Sequence, residues 1–124
     1  MIAADSSTLI AYIEGERGAD VDKLHVNLAA GEVGIAPAVL AEVLAEPRLP
    51  KRHSDLVLAL PVLDLKEGYW LRVAAARARL IARKLKAPLA DAMVAQCCVD
   101  HGIALVARDR DFKRFAEHCG LTLA

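Results

Sequence analysis

Short apolar runs alternate with longer amphipathic stretches along the chain, so that strand-like and helix-like segments follow one another. Strands are predicted at residues 1–4, 33–36, 62–65, 103–106 and 121–123. Helices are predicted at residues 6–14, 18–30, 37–45, 52–59, 67–86 and 88–101, with a short one after Asp111. Short strands that can be buried on both faces indicate an α/β sandwich with a central, mainly parallel sheet of four to five strands and helices on both faces.

Composition fits one domain over residues 1–124, because 124 residues leave no room for a second domain of ordinary size. Hydrophobic residues make up 56% and aromatic residues 4%, so the core must be mostly aliphatic. Charges interrupt every apolar run, which excludes a membrane span. The first residues lack the basic and apolar regions of a signal peptide, and we therefore expect a cytoplasmic protein.

Charge and cysteine usage narrow the function only slightly. Sixteen basic and 16 acidic side chains give a formal net charge of +0, so any case for nucleic-acid binding must come from local clusters. The three cysteines, Cys97, Cys98 and Cys119, form no CxxC pair, which argues against a disulfide or a zinc site. We expect them to be small core residues.

Two acidic residues follow predicted strands. Asp5 comes directly after the first strand, and Asp109 lies three residues past the strand at 103–106. Because the carboxyl ends of parallel strands meet at one edge of the sheet, we expect these side chains to lie together. Each also has a purely local interpretation, since Asp5 could cap a helix and Asp109 could begin a turn.

Two more acidic residues lie in otherwise apolar helices. Glu42 is flanked by Val39–Ala41 and Val43–Leu44, and Asp91 lies in the first turn of the helix at 88–101. Acids with apolar neighbours need a partner for their charge, and a shared divalent cation would supply one. Oxygen ligands suit Mg²⁺ or Mn²⁺. Alternatively, Glu42 lies on a solvated face with Glu46, and Asp91 interacts with the helix dipole.

These residues give the chain a resemblance to the PIN-domain ribonucleases, especially the VapC-type toxin of bacterial toxin-antitoxin pairs. The resemblance spans essentially the whole chain and rests on four segments in order. They are Asp5-Ser6-Ser7-Thr8-Leu9-Ile10, Glu42 in the helix after Pro37, Asp91-Ala92-Met93-Val94-Ala95, and Arg108-Asp109-Arg110-Asp111-Phe112. Each segment is a weak pattern alone, but the four together are fairly specific.

The resemblance implies a PIN-like three-layer sandwich and a metal-dependent endoribonuclease that leaves a 5′-phosphate. The implied acidic pocket consists of Asp5, Glu42, Asp91 and Asp109, of which Asp5, Asp91 and Asp109 would bind Mg²⁺ or Mn²⁺. Ser7 would support Asp5, and Asp111 would be either an outer ligand or the N-cap of the last helix. The chain departs from the family at Ala107, where a hydroxyl side chain is common.

The same resemblance implies an RNA substrate, a cognate antitoxin protein and a homodimer. Arg108 and Arg110 flank Asp109 and are candidates to contact phosphates, with ion pairing to an acid as the alternative. Arg79 and Arg83 belong to a basic stripe on the predicted helix at 67–86, together with Arg72 and Lys86, and this stripe is equally compatible with a solvated face. Residues 52–60 are a candidate surface for a partner helix, unless they pack into the core.

Other functional classes fit less well. A receiver domain would need adjacent acids after its first strand and a phosphoacceptor Asp at the end of a central strand, and a haloacid-dehalogenase phosphatase would need Asp-x-Asp where this chain has Asp5-Ser6-Ser7. The remaining alternative is a catalytically inactive PIN-fold interaction module. The presence of all four acids argues against it.

Overall fold

A three-stranded parallel sheet forms the centre of the computed structural model, which describes residues 1–124. The strand order is β2-β1-β3. The strands are β1 (Ile2–Ala4), β2 (Val33–Gly34) and β3 (Ala104–Val106). The helices are α1 (Ser6–Ile13), α2 (Ala19–Ala29), α3 (Pro37–Leu44), α4 (Lys51–Leu58), α5 (Tyr69–Ala82), α6 (Leu89–His101) and α7 (Phe112–His118). The predicted α/β class is confirmed.

The two outer predicted strands reach the sheet at one bridge each. Val62 pairs with Ile35 beside β2, and Leu123 pairs with Leu105 of β3, both in parallel orientation. Next to the first bridge, Pro61 accepts a hydrogen bond through its carbonyl but has no N–H to donate. The sheet therefore has three full strands and two single-bridge extensions, which together occupy the five predicted positions.

The strand register places the carboxyl ends of β1 and β3 side by side. Ala4 lies opposite Val106, and the Asp5 N–H donates a hydrogen bond to the Val106 carbonyl at 2.9 Å. The residues that follow each strand, Asp5 on one side and Ala107 on the other, therefore emerge at the same edge of the sheet.

Helices flank the sheet in two groups that bury an aliphatic core. α1 packs against α2 and α3, while α5, α6 and α7 pack against one another, and α3 contacts α6. The core is mostly aliphatic with three buried aromatic rings, Tyr69 of α5 and Phe112 and Phe115 of α7. Cys97 and Cys98 are buried and Cys119 is half-buried, so the cysteines occupy the expected core positions. None of the helices is long and apolar enough to cross a membrane.

Helix α5 is shorter than the predicted helix at 67–86, because a helix-ending motif follows Ala82. Lys84 adopts a left-handed backbone with φ 59°. Its N–H bonds to the Ile81 carbonyl, and the Leu85 N–H bonds to the Leu80 carbonyl, which is the Schellman arrangement. Glycine usually occupies this position, and because Lys84 stands here instead, the sequence pattern does not reveal where the helix ends. The predicted basic stripe is therefore broken, since Arg83 caps α5 and Lys86 lies beyond it.

Two leucines of α5 provide a matched test of this packing. Leu80 is fully buried and Leu71 is 78% exposed on the same helix. We expect Leu80→Ala to lower the free energy of unfolding by about 2–5 kcal/mol through lost burial and a residual cavity. Leu71→Ala should change it by less than about 0.5 kcal/mol. Urea denaturation followed by circular dichroism measures both, and equal losses would contradict the described orientation of α5.

Candidate active site

Asp5 combines burial with a fixed orientation. It directly follows β1 and is the N-cap of α1, and its side chain is only 5% exposed. The Ser7 hydroxyl donates a 2.8 Å hydrogen bond to Asp5 Oδ2, and the Ser7 N–H approaches the same oxygen at 3.4 Å. Burial raises the pKa of Asp5 above its usual value, while these hydrogen bonds oppose the increase. The structure therefore places Ser7 where it restrains the Asp5 carboxylate.

Three further carboxylates converge near this edge. Asp91 lies in the first turn of α6, and Asp109 and Asp111 lie in the segment between β3 and α7. One carboxylate oxygen of each lies within 4.8 Å of the other two. Asp109 Oδ1 also accepts a 2.9 Å hydrogen bond from the Asp111 N–H, which closes a local turn. Asp111, which the sequence marks only as a supporting residue, is thus a full member of this group.

Asp91 is the carboxyl on which the other acids act most strongly. Partial burial raises its pKa first, and Asp109, Asp5, Asp111 and Glu42 then add to the increase in that order. Together they raise the pKa of Asp91 to about 6. The four acids predicted from the sequence therefore interact through space, with Asp111 as the fifth.

Glu42 lies at the solvent side of this group. It is exposed on α3, and Ser6 Oγ donates a 3.3 Å hydrogen bond to Glu42 Oε1. Partial desolvation raises the pKa of Glu42, and the nearby Asp5 charge raises it further. Glu42 is therefore linked to Asp5 both electrostatically and through neighbouring serines of α1.

The donor set suits a hard divalent cation. Asp5, Glu42, Asp91 and Asp109 form no salt bridge with any basic side chain, and only Asp111 does so, with Arg114 at 3.3 Å. Because one guanidinium faces five carboxylates, most of their negative charge is uncompensated within the protein. Carboxylate oxygens without histidine or cysteine are the ligands that Mg²⁺ and Mn²⁺ prefer. The local roles of Asp5 as a cap and Asp109 in a turn explain their positions but not this excess of charge.

The two arginines beside Asp109 have different surroundings. Arg108 forms a bidentate pair with Asp20, at 3.0 and 3.2 Å, and contacts Glu16 at 3.4 Å. This geometry favours the ion-pairing interpretation of Arg108 over phosphate contact. Arg110 is exposed, and its side chain has no hydrogen-bond or ion-pair partner in the structure.

The other predicted basic residues belong to a different part of the surface. Arg79 Nη1 donates to the His118 carbonyl at 3.1 Å, and Arg83 Nη1 donates to the Arg79 carbonyl at 3.2 Å. Arg72 is paired with Asp100 at 2.7 Å, so its charge is already neutralised. None of these three guanidiniums is among the charges that shift the pKa of Asp5, Glu42 or Asp91.

The acidic group is only partly exposed: Asp5 is buried, Asp91 and Asp111 are half-buried, and Glu42 and Asp109 are exposed. A groove of about 290 Å³ between α1 and the end of α3 is lined by residues that include Ile10, Ile13 and Leu49. A second groove, of about 230 Å³, lies between α5 and α6 and includes Arg72 and Arg79. None of the five acids lines either groove.

Sequence reasoning missed the surroundings of Arg108. Thr8 is fully buried, and its hydroxyl donates a 3.0 Å hydrogen bond to Asp20 Oδ2, the oxygen that also accepts from Arg108 Nε. Asp20 and Arg108 are 88 positions apart, and no spacing in the sequence connects them. The only sequence feature that could point to this contact is the threonine at position 8, close to Asp5, and a threonine alone does not identify its hydrogen-bond partner.

Comparison with known proteins identifies the family. The family model described as PIN domain matches residues 2–118. The fold is similar to the crystal structure of VapBC2 from Rickettsia felis bound to a DNA fragment from their promoter, with a TM-score of 0.77 and 17% identity over 100% of this chain and 98% of the other. It is also similar to DNA-bound VapBC from Salmonella typhimurium, with a TM-score of 0.75 and 20% identity over the same shares. The curated proteins contain no match. From the fold and the family-model match, we conclude that the chain belongs to the PIN domain family.

Proposed function

We propose that this chain is a metal-dependent endoribonuclease and the toxin of a toxin-antitoxin pair. The observation that carries the proposal is the group of five carboxylates formed by Asp91 and four neighbouring acids, in which oxygens of Asp91, Asp109 and Asp111 lie within 4.8 Å of one another and only Asp111 has a basic partner. Burial and the charges of the other four acids raise the pKa of Asp91 to about 6. A binding module would gain nothing from such repulsion. A site that holds a divalent cation needs uncompensated negative charge, because the cation supplies the missing positive charge.

Asp5, Asp91 and Asp109 are the proposed principal metal ligands, and Asp111 is the proposed fourth. Mg²⁺ or Mn²⁺ bound there would acidify a water molecule and neutralise charge on the scissile phosphate. Ser7 would hold Asp5 in its binding orientation through the 2.8 Å hydrogen bond, so that less side-chain freedom is lost on binding. Glu42 is exposed, and its carboxylate can accept a hydrogen bond from the attacking water.

An RNA chain is the proposed substrate because Glu42 and Asp109 are exposed at the edge of the acidic group, where an extended polymer can reach them. Arg110 adjoins Asp109 and has no partner within the protein, so it is the arginine best placed to contact an RNA phosphate. Arg79 and Arg83 remain candidates for contacts farther along the strand. Arg108 is already bound to acids and is assigned a different role below.

The proposed partner is a cognate antitoxin protein, which the two VapBC structural neighbours support. A homodimer stays a prediction as well. Trp70, Leu71 and Ile81 lie on one arc of α5 and are 55%, 78% and 56% exposed, which offers apolar area that a second copy could cover. In α4, by contrast, Val57 is buried and Leu58 is 61% exposed, so the segment at 52–60 is divided between core and surface.

Cleavage of a mixed pool of structured RNAs tests the activity directly. We expect cleavage with Mg²⁺ or Mn²⁺, none with EDTA, and a loss of at least about 100-fold in Asp5→Ala and Asp91→Asn, since removing a ligand costs more than removing an outer partner. Asp55→Asn, an exposed carboxylate of α4, is the matched control and should cleave normally. Cleavage that survives in both site variants would refute the assignment. No cleavage and no calorimetric metal binding would favour the interaction module.

The raised pKa of Asp91 also predicts a stability effect. A carboxyl whose pKa rises on folding binds its proton more tightly in the folded state, so its ionisation destabilises the fold as pH rises through about 4 to 6. In EDTA at pH 7.5, Asp91→Asn should therefore increase the free energy of unfolding by about 1–2 kcal/mol, with solvent screening of a partly exposed group included.

Urea denaturation at two pH values provides the measurement and its control. The difference between Asp91→Asn and wild type should shrink at pH 4, where the folded wild-type carboxyl is already protonated. Mn²⁺ should then stabilise the wild type at pH 7.5 and leave Asp91→Asn nearly unchanged. A variant that is less stable than wild type in EDTA at both pH values would show that the carboxylates do not repel one another as described.

A further inference from the structure

Arg108 immediately precedes Asp109 and connects its segment to the loop between α1 and α2 and to the start of α2. Its Nε and Nη2 bond to the two carboxylate oxygens of Asp20, its Nη1 reaches Glu16, and its Nη2 also donates to the Arg17 carbonyl at 2.8 Å. All three guanidinium nitrogens are therefore bound to the loop between α1 and α2 or to the start of α2.

Asp20 also forms a hydrogen bond with a residue of α1. Its Oδ2 accepts hydrogen bonds from both Arg108 and Thr8, each at 3.0 Å. Thr8 is fully buried in the first turns of the helix that Asp5 caps. The chain Thr8–Asp20–Arg108 therefore connects the helix that begins at Asp5 to the segment that carries Asp109.

Gly18 allows this close arrangement. A Cβ at Gly18 would lie 2.5 Å from Asp20 Oδ1 and 2.7 Å from Arg108 Nη2, so any other residue must displace the ion pair. Gly15, in the same loop, has φ 74° but nothing within 4 Å of an added Cβ. In this loop, a side chain at Gly18 would disturb the pair of Arg108 and Asp20, whereas a side chain at Gly15 would not contact it.

We infer that Arg108 is a positioning residue, whose pairing with Asp20 fixes Asp109 relative to Asp5 and so sets the metal affinity of the acidic site. The inference rests on the proposed metal site. The segment between Val106 and Phe112 is neither helix nor strand, so its position depends on side-chain contacts. Arg108 Nε and Nη2 are bound to Asp20, so the guanidinium contacts none of the five acids and acts on Asp109 through the backbone that joins them.

Asp20→Asn separates this role from phosphate binding by Arg108. The substitution leaves the arginine in place and removes the charge of its bidentate partner, while the longer contact with Glu16 remains. If Arg108 positions Asp109, the Mn²⁺ dissociation constant measured by calorimetry should rise by about tenfold or more, as for other outer partners of metal ligands. If Arg108 binds phosphate instead, Mn²⁺ affinity should be unchanged and RNA binding should strengthen, which would overturn the inference.

Both partners of the Asp20–Arg108 ion pair have a neighbouring residue of the same charge that serves as a control. Asp22→Asn makes the same change two residues along α2 at an exposed carboxylate without an ion-pair partner, and it should leave Mn²⁺ affinity within about twofold. Arg108→Gln should weaken Mn²⁺ binding as Asp20→Asn does, and the double variant should be no worse than either single one, because both break the same interaction. Arg110→Gln, on the other side of Asp109, should have no such effect.

Gly18→Ala gives an independent test that changes no charge. It should weaken Mn²⁺ binding several-fold, while Gly15→Ala should not, although both restrict the backbone of the same loop. Circular dichroism at the titration temperature must show that each variant is folded. Lower thermal stability with unchanged Mn²⁺ affinity in the folded variants would mean that the pair is merely structural. A wild type that binds no Mn²⁺ would overturn the proposed metal site and this inference together.

Discussion

Five carboxylates meet where the central parallel strands end, and their mutual repulsion is the constraint on which the rest of the site depends. Parallel pairing of β1 with β3 brings the segments that follow them to one edge, and α6 adds Asp91 from its first turn. Burial first, and then the charges of the other four acids, raise the pKa of Asp91 to about 6. A group of like charges persists in a folded protein only if the surrounding structure holds it, or if a counter-ion belongs there.

The surrounding structure supplies that restraint with uncharged donors and distant ion pairs. Ser7 holds Asp5, the Asp111 N–H holds Asp109, and Ser6 bonds to Glu42. The nearby guanidinium of Arg108 is instead bound to Asp20, away from the acids. Arg114, paired with Asp111, is therefore the one basic side chain that forms an ion pair with the five acids. Under the proposed function, the rest of the negative charge would be available to a metal ion. If Asp91 binds the metal as proposed, stability and function are opposed at this residue, as is common at binding sites.

The sequence predicts the architecture and the acids well, and their surroundings poorly. Strand-like runs followed by amphipathic helices predict the parallel sheet, and the rule about strand ends brings Asp5 and Asp109 together, since both depend on local pattern. The end of α5 is not predicted, because the sequence does not distinguish Lys84, which has a left-handed backbone, from a lysine inside a helix. The sequence marks Asp111 as a supporting residue, because spacing alone does not show that its carboxylate lies within 4.8 Å of those of Asp91 and Asp109. The pairing of Arg108 with Asp20 depends on tertiary contact alone.

Anomalous scattering from crystals grown with Mn²⁺ tests the central claim most directly, since it locates the metal without relying on activity. The account predicts a peak at the carboxyl edge of the sheet, about 2.1 Å from carboxylate oxygens of at least two of Asp91, Asp109 and Asp5, with Asp111 nearby. The peak should be absent from crystals of Asp91→Asn grown in the same way. A well-ordered wild-type structure with no peak among these residues, or with Mn²⁺ bound elsewhere, would contradict the account.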